Sequence, residues 1–533
     1  MARTPLLSNF QGLYRDFAEG RQTGLTRRDF LKAAGATAGA AALSGPIAAF
    51  AAPPPRIAIV GGGIAGLNAA LTLQDAGYSA SVFEASSRVG GRMHSDSPLL
   101  GGATWENNQV SEHCGELIDS GHKTILKLAS RFKLATTDLL AAEPSQTDDT
   151  YSFFGKYYTR EQANADFNAV YNAVHKDANA AGYPTTYKIH TDAGIALDRL
   201  SVYDWIESRV PGGHKRPMGQ LLDVAYNIEY GNVTTQQSSL NLIYLLAFQP
   251  IPGNFRIFGA SDERYHITGG NEQLPRAIAA SLPDGSIMLN TPLRAIAKNA
   301  DGSYTLAFTS PTGPFSASFD RVILALPFSV LRTLNYKKAG FDSLKVTAIT
   351  KLGYGANAKL HLQFDTRYWN QSGPWGLSNG SSYADTGYQN TWEVSRGQNG
   401  ATGLLVDYTG GGVPLASFAG QPTADDAQSH VKTFLGQIEP VFPGITAHWN
   451  GRATLDVPRT DPYLLGSYSY WKVGQYIEFS GYEKARQPFP DGRCHFAGEH
   501  CSQDFQGYME GGASEGARAA NEILNDYKVG VFP

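Results

Sequence analysis

Arg56-Ile57-Ala58-Ile59-Val60-Gly61-Gly62-Gly63-Ile64-Ala65-Gly66 is the stretch on which the reading of this chain turns. Its opening apolar run has the pattern of a parallel strand buried on both faces. The glycines follow in the spacing Gly61-x-Gly63-x-x-Gly66. Gly61 permits a tight turn, Gly63 lets the backbone approach a pyrophosphate, and Gly66 lets the next helix pack close to the strand. Residues 67–76 carry helical spacing, with Leu67, Ala70, Leu71 and Leu73 on one side, and Gly77 stops them. The first N–H groups of such a helix lack intrahelical partners and bind phosphate charge. Residues 79–83 read as a second strand ending at Glu84, eighteen positions past Gly66, where an acid accepts ribose hydroxyls. A carboxylate there repels a 2′-phosphate, which argues against NADP and leaves FAD and NAD open.

The totals set wider bounds. A chain of 533 residues suits two interlocked domains, each with its own core. The net charge of −4 supplies no electrostatic reason for a nucleic-acid partner. No run is apolar enough for a stable membrane span. Cys114, Cys494 and Cys501 form neither a disulfide framework nor, with histidines, a metal-ligand spacing, so no metal is expected. The composition is compatible with a homo-oligomer. Ahead of the glycine stretch, Thr26-Arg27-Arg28-Asp29-Phe30-Leu31-Lys32 reads as a twin-arginine export signal. A weakly apolar stretch over 33–52 follows, with small residues at Ala49 and Ala51. Residues 1–52 are therefore an address rather than structure. The protein is expected to fold around its cofactor in the cytoplasm and work in the periplasm or outside the cell.

Further motifs carry a family resemblance. Arg88-Val89-Gly90-Gly91-Arg92 places two arginines around a glycine pair, which suits a diphosphate. It resembles the Arg-x-Gly-Gly-Arg segment of the flavin amine oxidase superfamily, which includes monoamine, polyamine and L-amino-acid oxidases. His495-Phe496-Ala497-Gly498-Glu499-His500 and Gly507-Tyr508-Met509-Glu510-Gly511-Gly512-Ala513 resemble that superfamily's C-terminal flavin segments. Ile267-Thr268-Gly269-Gly270-Asn271, a helix over 272–280 and a strand from Arg321 extend the likeness across the middle. The resemblance implies an α/β and α+β amine oxidase fold, in which a Rossmann-like FAD domain interleaves with a substrate domain of mixed sheet plus helices. The FAD domain is expected over 54–124, 257–330 and 456–526. The substrate domain takes a helical part over 125–256 and a sheet part over 331–455, with helix-like spacing over 151–179 and 198–249. Implied cofactor contacts are Gly61, Gly63, Gly66, Glu84, Arg88, Gly90, Gly91, Arg92, Leu293, Gly498, Glu499, Tyr508 and Met509. Ser467 stands where some monoamine oxidases carry a flavin-bonded cysteine, which implies non-covalent FAD.

Residues 358–364 alternate as a strand, with Lys359, His361 and Gln363 on one face. By resemblance Lys359 is the lysine that holds a water beside the flavin, and burial there disfavours its ammonium form. Tyr468 and Tyr508 match the paired aromatic walls that guide a neutral amine and exclude bulk water. Lys359, Tyr468 and Tyr508 are thus the catalytic candidates. Leu117, Glu116, Trp392 and Trp471 are the substrate-binding candidates. Trp369, Glu393 and His361 are further polar or aromatic groups that core packing would equally explain. The implied reaction is oxidative deamination of a small-molecule amine by oxygen, giving an imine or oxo product, ammonia and hydrogen peroxide. L-amino acids lead slightly on overall likeness, with monoamines close behind. The usual carboxylate-binding arginine falls near Leu117, so Arg256, Arg264 or Arg396 would have to replace it. Glu116 keeps diamines and basic amino acids open. A carbon–carbon desaturase and a non-enzymatic flavoprotein are the competing classes on this fold.

Overall fold

The computed structural model describes residues 54–102, 104–251, 253–412 and 424–528. The export signal over 1–52 lies outside the described residues. Strand β1 (Ile57–Val60) is buried along its whole length. Helix α1 (Ile64–Asp75) follows, and strand β2 (Ala80–Phe83) pairs parallel to β1. Gly61 holds φ at 110°, in the region that favours glycine. At Gly66 an added Cβ would lie 1.9 Å from the Gly61 carbonyl oxygen, so only hydrogen fits between helix and turn.

The next segment departs from the helical expectation for 151–179. Strand β3 (Asp148–Phe153) and strand β4 (Lys156–Tyr157) form a hairpin about Phe154 and Gly155, both at positive φ. Helix α2 (Arg160–Ala181) begins only after Thr159. The Thr159 side chain accepts from Gln162 N, while the Gln162 side chain accepts from Thr159 N. The aromatic residues at 151–153 fit either period, and the sheet supplied the partners that decided it. Helix α3 (Pro217–Tyr230) starts on a proline and ends at Gly231 in the left-handed region.

Strand β5 (Ile287–Met288), strand β6 (Arg321–Leu324), strands β7 (Ala358–Phe364), β8 (Ser378–Ala384), β9 (Asn390–Glu393), β10 (Gly403–Thr409) and β11 (Trp449–Asp456), strand β12 (Cys494–Phe496) and helix α4 (Met509–Lys528) complete the frame. One sheet runs β12-β6-β1-β2-β5, all parallel. A second runs β11-β7-β10-β9-β8-β3-β4, mostly antiparallel. In it β7, flanked by β10 and β11, sets Lys359 opposite Tyr408 on one side and Asp456 on the other. Leu360, Leu362 and Phe364 face a core with Leu405 and Phe434, while Lys359, His361 and Gln363 are also buried, against polar neighbours.

Helices α1 and α4 pack at a distance only glycine allows. A Cβ on Gly516 would lie 2.0 Å from the Ala65 carbonyl oxygen. Gly516→Ala is expected to cost roughly 1–3 kcal/mol by overpacking, read as a lower midpoint of thermal unfolding. Gly436→Ala is the control. That helical glycine has no neighbouring atom within 4 Å of an added Cβ, and the substitution should leave the midpoint unchanged or slightly raised.

Candidate functional site

A cavity of about 630 Å³ opens at the carboxyl ends of β1 and β6 and runs toward β7 and α3. Its volume falls in the range of a cofactor site. Gly61, Gly63, Glu84, Arg88, Gly90, Gly91, Arg92, Leu293, Gly498, Glu499, Tyr508 and Met509 all line it. Gly66 does not, because it serves the packing of α1 described above.

The residues present fit FAD. A Cβ on Gly63 would meet no protein atom nearer than 3.9 Å, so protein packing does not demand glycine there. The free space faces the cavity, where a diphosphate needs close approach. The N-terminus of α1 has no side-chain cap, leaving its first N–H groups for an anion. Glu84 is held by Gly62 N on one oxygen (2.7 Å) and by Ser86 N and Oγ on the other (2.8 and 2.7 Å). Oε2, with one donor only, keeps capacity for a ribose hydroxyl. Arg88 donates to Gly91 O at 2.9 Å and stiffens the glycine pair.

Arg92 is the joint of the site. Its guanidinium donates to Ser467 O at 2.8 Å and to Glu499 Oε1 at 2.9 Å. Glu499 Oε2 takes Ser469 Oγ at 2.7 Å and Gly507 N at 2.8 Å. Burial alone would raise the Glu499 carboxyl, but Arg92 and Ser469 outweigh it and hold the group below the ordinary carboxylate range. The Ser467 hydroxyl donates to Asn357 Oδ1 at 2.6 Å.

Toward β7 the wall changes character. Lys359, Glu116, Leu117, Glu229, Trp392, Tyr408, Tyr468 and Tyr508 line it. The Tyr468 hydroxyl donates to Ile228 O at 2.9 Å and lies 2.9 Å from the Tyr408 hydroxyl. The Tyr508 hydroxyl donates to Glu229 Oε1 at 3.0 Å. A Cβ on Gly507 would touch the Tyr468 ring at 3.6 Å, which places that ring against the turn that carries Tyr508. Burial lifts the Tyr468 phenol well above its usual range, so it stays protonated. Burial likewise pushes the Cys114 thiol up to about 12, which makes it inert although it lines the cavity.

Trp471 is a correction. It is absent from the cavity wall and lies in the core beside Tyr476 and Phe479. Tyr470 before it is buried in the same core. Trp369 is also core, donating to Glu393, which pairs with Arg367. Arg264 pairs with Asp138 and Arg396 with Glu143; neither these nor Arg256 lines the cavity. Several wall residues escaped the sequence reading, among them Glu229, Tyr408, His500 and Gln506. His500 and Gln506 are buried, line the cavity, and have no partner for either polar atom of the ring or of the amide. Burial pushes His500 down to about 3, so the ring is neutral. Such orphaned polar atoms await partners from a bound group or ordered water. Their only signal in sequence is adjacency to Glu499 and Gly507.

Compared with known proteins, residues 64–524 match the model of the flavin containing amine oxidoreductases, and residues 24–44 match the twin-arginine translocation signal sequence. An L-amino-acid oxidase of Mus musculus is 24% identical over 498 residues, covering 90% of this chain and 72% of the mouse protein. Polyamine oxidase 4 of Oryza sativa subsp. japonica is 25% identical, covering 88% of this chain and 91% of its own. In fold, putrescine oxidase bound to putrescine superposes with a TM-score of 0.73 at 19% identity, covering 89% of this chain and 99% of that one. Cyclohexylamine oxidase from Brevibacterium oxydans IH-35A gives 0.73 at 21% identity, covering 89% and 100%.

Because the folded carboxyl of Glu499 lies below its ordinary value of 4.5, its stabilisation is complete above that pH and is lost as pH falls through the folded value. FAD should therefore dissociate on acidification below about pH 4.5, seen as a rise in free-flavin fluorescence. Glu499→Gln should bind FAD more weakly at pH 7 and lose much of that acid dependence.

Proposed function

The chain belongs to the flavin containing amine oxidoreductase family, and on that footing we propose that it oxidises amines that carry no α-carboxylate, diamines among them. The products are an imine that hydrolyses to a carbonyl compound, ammonia and hydrogen peroxide. The observation that carries this reading is the charge of the cavity wall. Among the described residues, the arginines lining the cavity are Arg88, Arg92 and Arg294. Arg88 is bonded to Gly91 O in the glycine-pair loop, Arg92 is bonded to Ser467 and Glu499, and Arg294 donates to Thr309 beside Leu293. The wall around Tyr468 and Tyr508 carries instead the acid Glu229, while Glu116 nearby is paired with Lys359. A substrate carboxylate buried there would lack the bidentate partner it needs, at a cost of several kcal/mol. A second cationic group, by contrast, would be drawn to Glu229.

Bound FAD supplies the hydride acceptor and the electrons that reduce oxygen. This chain's own residues do the rest. Tyr468 and Tyr508, each fixed through its hydroxyl, present ring faces that align the amine and keep bulk water out. Lys359 sets positive charge in the wall. The amine must enter deprotonated, so the rate should rise with pH as the substrate loses its proton. The twin-arginine signal supports a place of work in the periplasm or outside the cell, reached with FAD already bound. L-amino acids are the second reading, favoured by the L-amino-acid oxidases among the relatives.

Peroxide formation by the purified yellow protein, scanned across monoamines, diamines and twenty L-amino acids, tests the proposal. Turnover of alkylamines or diamines well above any amino acid is expected. Amino-acid turnover with inert amines would establish the second reading. Glu229→Gln should raise KM for a diamine about tenfold relative to a monoamine of the same length, the loss of one ion pair.

A further inference from the structure

Lys359 does not stand alone in the cavity wall. Its Nζ donates to Glu116 Oε2 at 2.7 Å, to Cys114 O at 2.9 Å and to Glu112 O at 3.1 Å. An ammonium has three donors, and all three are engaged. The other Glu116 oxygen accepts the indole N–H of Trp392 at 2.9 Å. Lys359 Nζ also lies 5.4 Å from the Trp392 ring centroid, within the range of a cation–π contact. The Lys359 and Glu116 side chains are each 7% exposed. Both groups of the pair, and the indole, line the cavity.

The sequence resemblance implies a lysine that holds a water beside the flavin. In this chain the donors are already used, so what Lys359 presents to the cavity is its charge. Glu116 has likewise committed one oxygen to the ammonium and one to the indole. A substrate cation would have to displace a short, desolvated ion pair to reach it. We infer that Glu116 is a positioning residue for Lys359 and Trp392, keeping the lysine charged in the cofactor cavity, and is not the residue that receives a cationic group of the substrate. Removing one partner of a buried pair leaves the other uncompensated, and burial then drives the lysine toward the neutral amine. The inference rests on the family reading only through the flavin and is independent of which amine is the substrate.

The test uses the holoenzyme without substrate. Sulfite binds at oxidised flavin, bleaches its visible absorbance, and responds to positive charge nearby. Its dissociation constant is measured across pH for the natural protein, Glu116→Gln, Lys359→Met and the double variant, and each variant is expressed as a ratio to the natural protein. For Glu116→Gln the ratio is expected to climb about tenfold or more from acid to alkaline pH, because the lysine has lost the carboxylate that compensates its charge. It should stay flat for Lys359→Met and for the double variant, because the titrating group is gone. Glu116→Asp should remove most of the climb. A flat ratio for Glu116→Gln would overturn the inference. So would an unchanged sulfite profile joined to a selective rise in KM for diamines, which would make Glu116 a substrate subsite. If Glu116→Gln fails to retain FAD, Glu116→Ala replaces it, with the same climb expected, and a flat ratio there overturns the inference equally. Should no amine prove to be a substrate, the sulfite result still decides the role of Glu116.

Discussion

The Arg92 guanidinium binds together stretches of chain that lie far apart in sequence. It reaches Ser467 across 375 positions and Glu499 across 407, and Glu499 in turn takes up Ser469 and Gly507. Four segments that line one cavity are thereby set in register by a single ion pair, with Glu499 buried and Arg92 partly exposed to the cavity. Such a pair contributes little net stability against an apolar replacement, but breaking it costs about 3–5 kcal/mol because a buried charge is left uncompensated. Its value here is geometric. The glycine-pair loop, the turn carrying Tyr468 and the N-terminus of α4 cannot drift relative to one another while Arg92 and Glu499 remain ionised.

From that joint the site extends by shared hydrogen bonds into the second sheet. Ser467 donates to Asn357, and Asn357 Nδ2 donates to Ile228 O, the same carbonyl that receives the Tyr468 hydroxyl. The last turn of α3 therefore anchors an aromatic wall and the strand entry of β7 together. Glu229, the next residue, holds Tyr508. A change in the helical segment would be felt at both rings, because interiors this closely packed pass displacement on rather than absorb it. The pairing of Lys359 with Glu116 follows the same logic on the facing wall, where the charge on β7 is matched by a loop 243 positions earlier.

The glycines sort into two kinds that look alike in sequence. Gly66 and Gly516 are required by the protein's own backbone, which would overlap an added carbon. Gly63 is crowded by no protein atom and opens onto the cavity, so its requirement comes from a ligand. The distinction separates a packing role from a binding role inside one six-residue motif.

Sequence alone determined what depends on near neighbours. The β1–α1–β2 unit, the placement of Glu84 and the two faces of β7 follow from apolar period, glycine spacing and chain direction, all of which act within a turn or two. Of the site residues named from the motif resemblance, all but Gly66 and Trp471 line the cavity. Tertiary structure decided what depends on partners brought from elsewhere. Residues 151–153 became a strand because β8 offered hydrogen bonds, and Trp471 went to the core, where Tyr476 and Phe479 pack against it. Lys359 acquired Glu116, while His500 and Gln506 were sealed into the wall with their polar atoms unmatched. A side chain's local pattern records its backbone's preference, but its charge partner and its solvent are set only when distant segments close over it.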